Sequence, residues 1–342
     1  MFLMTMKTYE YSKLGLENLT LVERPMPRPA MNEVVVKFHA ASLNFRELLF
    51  AWGLYNPNPR LPAVPGSDGA AEVTAVGEGV TRWKIGDRVC PIFMQGWLEG
   101  PITPSAPRTA LGGGDLDGTL REYGAFHENG LVRIPDHLSY EEAAAYPCAA
   151  VTAWQALVNV GKIKAGDTIL TLGTGGVSVF AVQIAKLHGA RVIATSGSDE
   201  KLARVRGLGA DATINYRTTP DWDKEVLRLT GGSGVDHVVE VGGAGTLPRS
   251  VNATRVGGLV SVIGVLSQGA GLDSLKVLMK SLRVQGIFVG SRRTFEDLNR
   301  AVTVAQSKPV IDRTFAFNQL REALDYMHSG AHFGKIVIRI AD

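Results

Sequence analysis

Residues 168–201 read TILTLGTGGVSVFAVQIAKLHGARVIATSGSDEK, and this stretch decides the fold. A short apolar run (Thr168 to Leu172) leads into a glycine-rich turn at Gly173, Gly175 and Gly176. An apolar helical stretch from Val177 to Leu187 follows, then a second strand-like run from Arg191 to Thr195. That order is a βαβ unit with its glycines at the first strand-to-helix turn. A pyrophosphate binds at such a turn, because the helix N-terminus offers free N–H groups and a positive dipole end. Gly173 permits the tight turn, Gly175 lets the backbone approach the phosphates, and Gly176 and Val177 open the helix. Ser178 stands where the third glycine of the motif is usual and is small enough for close helix–strand packing.

The tip of the second strand selects among dinucleotides. A carboxylate there, about 20 residues past the glycines, bonds the ribose 2′-hydroxyl of NAD. Here the strand ends Ala194-Thr195-Ser196-Gly197-Ser198, without an acid. Asp199 and Glu200 read as the cap and first turn of the next helix. Ser196, Lys201, Tyr216 and Arg217 offer hydroxyls and cations suited to a 2′-phosphate, so the expected cofactor is NADP(H).

The 342 residues suggest about two domains. An apolar content of 45% is ample for a large core, and the 39 glycines suit many strand–helix turns. The net charge is +3 with basic residues dispersed, so no nucleic-acid groove is expected. No apolar run reaches the length of a membrane span, and the start MFLMTMKTYEY lacks the pattern of a signal peptide. Cys90 and Cys148 are the only cysteines. They argue against a disulfide framework and for a reducing, cytoplasmic setting.

Residues up to about 125 read mostly as strands, including Leu19 to Glu23, Glu33 to Ala40, Gly69 to Val76 and Arg88 to Pro91. Residues 92–118 form a long segment of poor periodicity, rich in Pro and Gly. Such a loop is usually functional or mobile. A capping box, Ser139-Tyr140-Glu141-Glu142, opens a helix. From Thr168 strands alternate with helices: Arg191 to Thr195, Ala212 to Asn215, His237 to Val241, Leu259 to Ile263 and Arg283 to Val289. Alternation implies a doubly wound parallel sheet. Ligands lie outside the carboxyl ends of such strands, which places Val241, Gly242, Gly264 and Val265 along a cofactor crevice.

Several ordered motifs resemble the medium-chain dehydrogenase/reductase superfamily over nearly the whole chain. They are LNFRE (43–47), VPGSDGAAEVTAVGEGVTRWKIGDRV (64–89), GTLREYGAF (118–126), PCAAVTAWQAL (147–157), the 172–195 stretch and HFGKIVI (332–338). The resemblance implies an α/β chain with a GroES-like β-barrel catalytic domain and a Rossmann domain. The catalytic domain would span 1–150, with 291–342 returning to it, and the NADP(H)-binding domain 151–290.

Zinc alcohol dehydrogenases of this superfamily hold their catalytic metal through three segments that match LNFRE, GSD and PCAAVT here. Asn44, Ser67 and Cys148 stand at the ligand positions, a poor tetrahedral set. Zinc is therefore not expected, and the resemblance points to the quinone-oxidoreductase branch. It implies hydride transfer from NADPH to a quinone or α,β-unsaturated carbonyl. Alternatives are reduction of a simple ketone, or the reverse alcohol oxidation, and a non-catalytic NADPH-binding role. It also implies that Asn44 faces the substrate and bonds a carbonyl oxygen or the nicotinamide ribose. Arg46 and Asp68 are the other candidate catalytic residues. Thr152 and Lys335 match cofactor-contacting positions. Trp52, Phe93 and Trp97 are candidates for an aromatic pocket. Residues 283–289 are expected to pair with a second copy as the edge strand of a homodimer.

Overall fold

The computed structural model describes residues 4–56, 58–113, 115–264, 266–267 and 272–341. Fifteen strands and ten α-helices are formed among them. The first seven strands are β1 (Thr5–Tyr11), β2 (Leu19–Pro25), β3 (Glu33–Ser42), β4 (Asp68–Val76), β5 (Arg88–Pro91), β6 (Tyr123–His127) and β7 (Leu131–Arg133). Helices α1 (Phe45–Ala51), α2 (Tyr140–Ala144) and α3 (Val151–Trp154) accompany them. Next come β8 (Thr168–Leu172), α4 (Gly176–Leu187), β9 (Arg191–Ser196), α5 (Asp199–Gly207), β10 (Ala212–Asn215) and α6 (Trp222–Leu229). They are followed by β11 (Val235–Glu240), α7 (Leu247–Ala253), β12 (Thr254–Val262), α8 (Ser274–Met279) and β13 (Arg283–Gly286). The chain closes with α9 (Arg292–Ala305), β14 (Ile311–Ala316), α10 (Leu320–His328) and β15 (Lys335–Arg339).

Two compact units result. Met1–Val151 with Gly290–Asp342 form the first, and Thr152–Val289 the second.

In the first unit a seven-stranded sheet runs β14-β15-β3-β4-β5-β7, with β6 also on β3, beside the antiparallel pair β1-β2. The long strand β3 is its axis, because Val34, Val36 and Phe38 alternate into a core with Ala71, Val73, Val89, Phe126 and Leu131. The C-terminal return is sealed by Leu320, Leu324, Met327, Ile336 and Ile338, which pack with Leu43 and Leu48. Much of the segment 92–118 is packed, although residues 99–105 are exposed. Phe93, Met94, Trp97, Ala106, Ala110 and Leu111 are all buried, and Met94 bridges Ala110. Its apolar residues follow no strand or helix period, which is why their burial was not visible in the sequence.

The second unit is a six-stranded parallel sheet in the order β10-β9-β8-β11-β12-β13. Its strands are apolar on both faces, as expected for a sheet covered by helices. Leu170, Ile193, Ile214, Val238 and Val260 share one core. The order reverses between β8 and β11, so the switch point lies at their carboxyl ends.

The expected strand 283–289 stops at Gly286. Ile287 lies beyond it and is buried in the single chain, and Val289 takes a left-handed φ of 58°. The apolar run thus leaves the strand after Gly286 instead of extending it.

Candidate active site and dinucleotide cradle

In the first unit, strand register assembles a buried polar cluster. Ser42 pairs with Asp68 across β3 and β4, and with Val337 across β3 and β15. The ends of three neighbouring strands thereby bring Ser42, Asp68 and Lys335 together. Asn44 follows β3 and precedes α1. Its backbone N–H donates to Glu47 Oε2 at 2.7 Å, so Glu47 closes the helix start.

Lys335 is 2% exposed and Asp68 is fully buried. The Lys335 ammonium donates to Leu43 O at 2.7 Å, Asn44 Oδ1 at 2.7 Å and Asp68 Oδ2 at 3.3 Å. Asp68 Oδ2 also accepts from Ser42 Oγ and Asn44 Nδ2, each at 2.9 Å. The second Asn44 amide hydrogen goes to Ser67 Oγ at 3.0 Å. Ser67 in turn donates to Glu47 Oε1 at 2.7 Å, which also accepts from Arg46 at 3.1 Å. Two cations and two carboxylates thus form one connected, formally neutral network. Burial pushes the Asp68 carboxyl upward, and Lys335, Asn44 and Ser42 pull it back only in part. Burial disfavours the Arg46 cation, but Glu47, Tyr55 and Cys148 together more than offset this, and its pKa ends above the usual value.

The network settles the orientation of Asn44. An ammonium only donates, so the amide oxygen faces Lys335. Both amide hydrogens are then spent on Ser67 and Asp68. Asn44 therefore has no hydrogen left for a substrate carbonyl. What remains is a second lone pair on Oδ1, able to accept from a hydroxyl.

Arg46 is the other polar group with capacity to spare. Its guanidinium lies 4.4 Å from the Tyr55 ring centroid and 5.1 Å from that of Phe93, and it donates to Gly112 O at 3.1 Å. A guanidinium has five N–H donors. Of the three expected aromatics, Phe93 belongs to this group. Trp97 is buried and donates to Gly100 O at 3.0 Å, while Trp52 is half-exposed against Phe45 and His328.

The Cys148 thiol is pushed up by burial and by Asp68. A metal would need the thiolate. It would also compete with an ammonium already bonded to Asp68 and Asn44. No group of three His, Cys, Asp or Glu side chains suited to a metal occurs among the described residues. The donor set does not fit zinc.

In the second unit, Gly173 adopts φ +70° between β8 and α4. A side chain at Gly173 or Gly175 would meet nothing within 4 Å, so both face open space at the start of α4. Gly176 is the first residue of α4 and Val177 the second. Ser178 is buried and donates to Leu172 O at 2.6 Å. A hydroxyl here replaces the usual glycine and ties helix to strand. The residues fit a dinucleotide turn.

At the tip of β9, Ser196 is buried and its Oγ accepts from Ser198 N at 3.3 Å. Ser198, rather than Asp199, caps α5 through Lys201 N. Tyr216 Oη and Arg217 Nε each lie 2.8 Å from where a Cβ on Gly197 would sit. A phenol and a guanidinium therefore converge over a glycine. Lys201 is half-buried on α5, and no carboxylate occupies the end of the strand.

Val241 and Gly242 follow β11, and Gly264 follows β12. A Cβ on Gly264 would come within 1.7 Å of Val241 O, so only glycine fits there. Val265 lies outside the described residues. Thr152 is buried at the first position of the second unit. Lys335, expected at the cofactor, has its ammonium committed to the cluster of the first unit. The sequence reading left out Ser42 and Leu43 of this cluster and, in the second unit, Glu240, the carboxylate that closes the strand VDHVVE.

The family model described as an alcohol dehydrogenase GroES-like domain matches residues 30–136, and that of a zinc-binding dehydrogenase matches 176–304. A zinc-type alcohol dehydrogenase-like protein of Schizosaccharomyces pombe is 44% identical over 95% of this chain and 96% of its own length. Human quinone oxidoreductase is 27% identical over 92% of the chain and 91% of its own. The crystal structure of an NAD-dependent alcohol dehydrogenase superposes with a TM-score of 0.89 at 36% identity, covering 98% of this chain and all of that one. On fold, motifs and relatives together, the chain belongs to the medium-chain dehydrogenase/reductase superfamily and is an NAD(P)H-dependent oxidoreductase.

Proposed function

We propose that the chain transfers a hydride from NADPH to a quinone or an α,β-unsaturated carbonyl without a metal. The observation that carries this reading is the Lys335 ammonium, bonded to Asn44 and Asp68 within the segments where zinc relatives hold their ion. A cation already neutralises those groups, and burial and Asp68 push the Cys148 thiol up.

Gly173, Gly175, Gly176 and Val177 would hold the pyrophosphate. Ser196, Lys201, Tyr216 and Arg217 would hold the 2′-phosphate, through hydroxyl and charge-assisted hydrogen bonds. Thr152, Val241, Gly242 and Gly264 would line the nicotinamide side. Bound NADPH supplies the hydride. The work left to the protein is orientation and stabilisation of charge on the acceptor oxygen. Arg46 is assigned that second task, since Asn44 has no donor to give. Rigid stacking on Tyr55 and Phe93 fixes the guanidinium, so little reorganisation is needed as charge develops. Asn44 Oδ1 remains available to a cofactor hydroxyl, and Asp68 and Lys335 hold that amide in place.

For an enone, hydride addition at the β-carbon leaves an enolate, which takes its proton from solvent. For a quinone, the same two-electron step gives the hydroquinone anion. Similarity to alcohol dehydrogenases favours a second reading, reduction of simple ketones through the same groups. Following NADPH oxidation against a panel of quinones, enones and ketones separates these readings and tests for turnover at all.

We further propose a homodimer built on β13. This strand is hydrogen-bonded to β12 on one side and ends the sheet. The helix before it exposes Leu275, Leu278 and Met279 at 64%, 71% and 73%. An unpaired strand beside exposed apolar side chains is a hazard that a two-fold contact would remove.

A further inference from the structure

Glu240 is fully buried at the end of β11, the central strand beside the switch point. No cation pairs with it among the described residues. Its carboxylate is solvated entirely by neutral donors. Oε1 accepts from Gly242 N at 2.8 Å, Gly243 N at 3.0 Å and Thr246 Oγ1 at 2.6 Å. Oε2 accepts from Ser250 Oγ on α7.

Burying a carboxylate is costly unless hydrogen bonds replace its water. The surrounding backbone is shaped to supply them. Gly242 and Gly243 turn their N–H groups back toward the strand they have just left. A Cβ on Gly242 would lie 2.4 Å from Thr246 Oγ1, so glycine is needed to close the turn around the carboxylate. Ser267 clasps the outer side, donating to Gly242 O at 2.6 Å and accepting from Gly245 N at 3.0 Å.

The same residue holds a second segment through its main chain. Glu240 O accepts from Ile263 N at 2.8 Å and Gly264 N at 3.2 Å. Its side chain therefore fixes the turn after β11, while its carbonyl fixes the end of β12. Those are the two segments assigned above to the nicotinamide half of the dinucleotide.

We infer that Glu240 is a positioning residue for the cofactor, setting Val241–Gly242 and Gly264 in the geometry that NADPH needs. The inference rests on the dinucleotide reading of this unit. A plain core brace would stabilise the fold without altering affinity. A positioning residue changes affinity in protein that is still folded.

The test is NADPH titration by fluorescence, with thermal unfolding in parallel, on Glu240→Gln, Thr246→Ala and Thr246→Ser. An amide turns an N–H₂ group toward donors, so Glu240→Gln is expected to weaken NADPH binding by about 10–100-fold, the range for losing a hydrogen bond to a charged group. Thr246→Ala removes one donor and leaves the carboxylate, so a loss of about 3–10-fold is expected. Thr246→Ser restores the hydroxyl and the original affinity. If Glu240→Gln does not fold, the two Thr246 variants decide alone. Unchanged NADPH affinity in folded Glu240→Gln or Thr246→Ala, whatever happens to the melting temperature, overturns the proposal. Failure of the unaltered chain to bind NADPH overturns the dinucleotide reading and this role with it.

Discussion

Replacing Lys335 by Met removes the ammonium from the buried cluster and keeps most of the side-chain volume. Three acceptors lose a donor: Leu43 O, Asn44 Oδ1 and Asp68 Oδ2. Asp68 is left as a buried carboxylate with Ser42 and Asn44 as its only side-chain donors. Removing one partner of a buried ion pair costs about 3–5 kcal/mol. For a domain of about 200 residues that is a fall of about 6–20 °C in melting temperature, at about 2–4 °C per kcal/mol. The deficit depends on pH, and its sign follows from Asp68. Burial already raises that carboxyl above its ordinary 3.8, and losing the ammonium raises it further. A carboxyl whose folded pKa exceeds its unfolded one stabilises below the unfolded value and loses that stability as pH rises through the folded one. Lys335→Met is therefore closest to the unaltered protein in acid and falls behind it toward neutrality. Adding Asp68→Asn removes the orphaned charge and should recover part of the loss, giving a coupling of at least about 1 kcal/mol in the double-mutant cycle. Thermal unfolding of the four proteins at acid and neutral pH is the assay. A Lys335→Met variant within about 0.5 kcal/mol of the parent, the usual range for a surface change, refutes the claim that this ammonium neutralises the cluster.

Gly175→Val should abolish NADPH binding without unfolding the protein, since φ there is an ordinary −76° and an added Cβ meets nothing within 4 Å; calorimetry shows whether the dinucleotide is lost while the melting temperature holds. Arg217→Ala with Tyr216→Phe should cut the preference for NADPH over NADH by about 10–100-fold, the range for charge-assisted bonds, and equal effects on both cofactors in fluorescence titrations would remove the 2′-phosphate assignment. Arg46→Met should lower kcat/KM by about 100-fold, the cost of losing a donor to a developing oxyanion, and full activity on every accepted carbonyl would return that role to another group. His237 is buried against Ser261, and burial lowers its pKa from 6.5 to about 3; above pH 6.5 it costs nothing, but as pH falls below 6.5 the unfolded chain takes a proton that the folded one refuses, so stability drops by up to about 5 kcal/mol toward pH 3. Acid unfolding of His237→Leu should lack that component, and an unchanged pH slope would contradict it. Leu278→Asp on the exposed face of α8 should yield monomers in sedimentation, and a concentration-independent monomer from the unaltered chain would dismiss the dimer; Ile287 is unsuited to this test because it is already buried in the single chain.

The second unit was legible because its signals are local. Each parallel strand is a short apolar run, and the glycine turn sits between one such run and a helix within a dozen residues. The helix start at Ser139 was equally local, a capping box that the structure forms with both bonds in place. Short strands with mixed faces were harder: β6 and β7 pair only with the distant β3 and β5 and left no clear period. The polar cluster was half legible. Asn44, Arg46 and Asp68 stood out by type and motif, but the direction in which the Asn44 amide points is set by Lys335, which is 291 residues away in the chain. No local pattern carries that information, so the sequence left Asn44 open to bonding a carbonyl oxygen or the nicotinamide ribose and did not show that both its amide hydrogens go to Ser67 and Asp68. Glu240 was missed for a related reason. An acid after Val238 and Val239 looks like a strand end reaching water, and only the folded turn shows that its solvent is Gly242, Gly243, Thr246 and Ser250.

The most direct test of a metal-independent, NADPH-driven hydride transfer is the rate of NADPH oxidation with an accepted quinone or enone, measured before and after exhaustive dialysis against a strong zinc chelator, with zinc content determined on the same samples. The account predicts an unchanged rate and zinc far below one ion per chain throughout. A rate that disappears with stoichiometric zinc and returns when zinc is restored would contradict it.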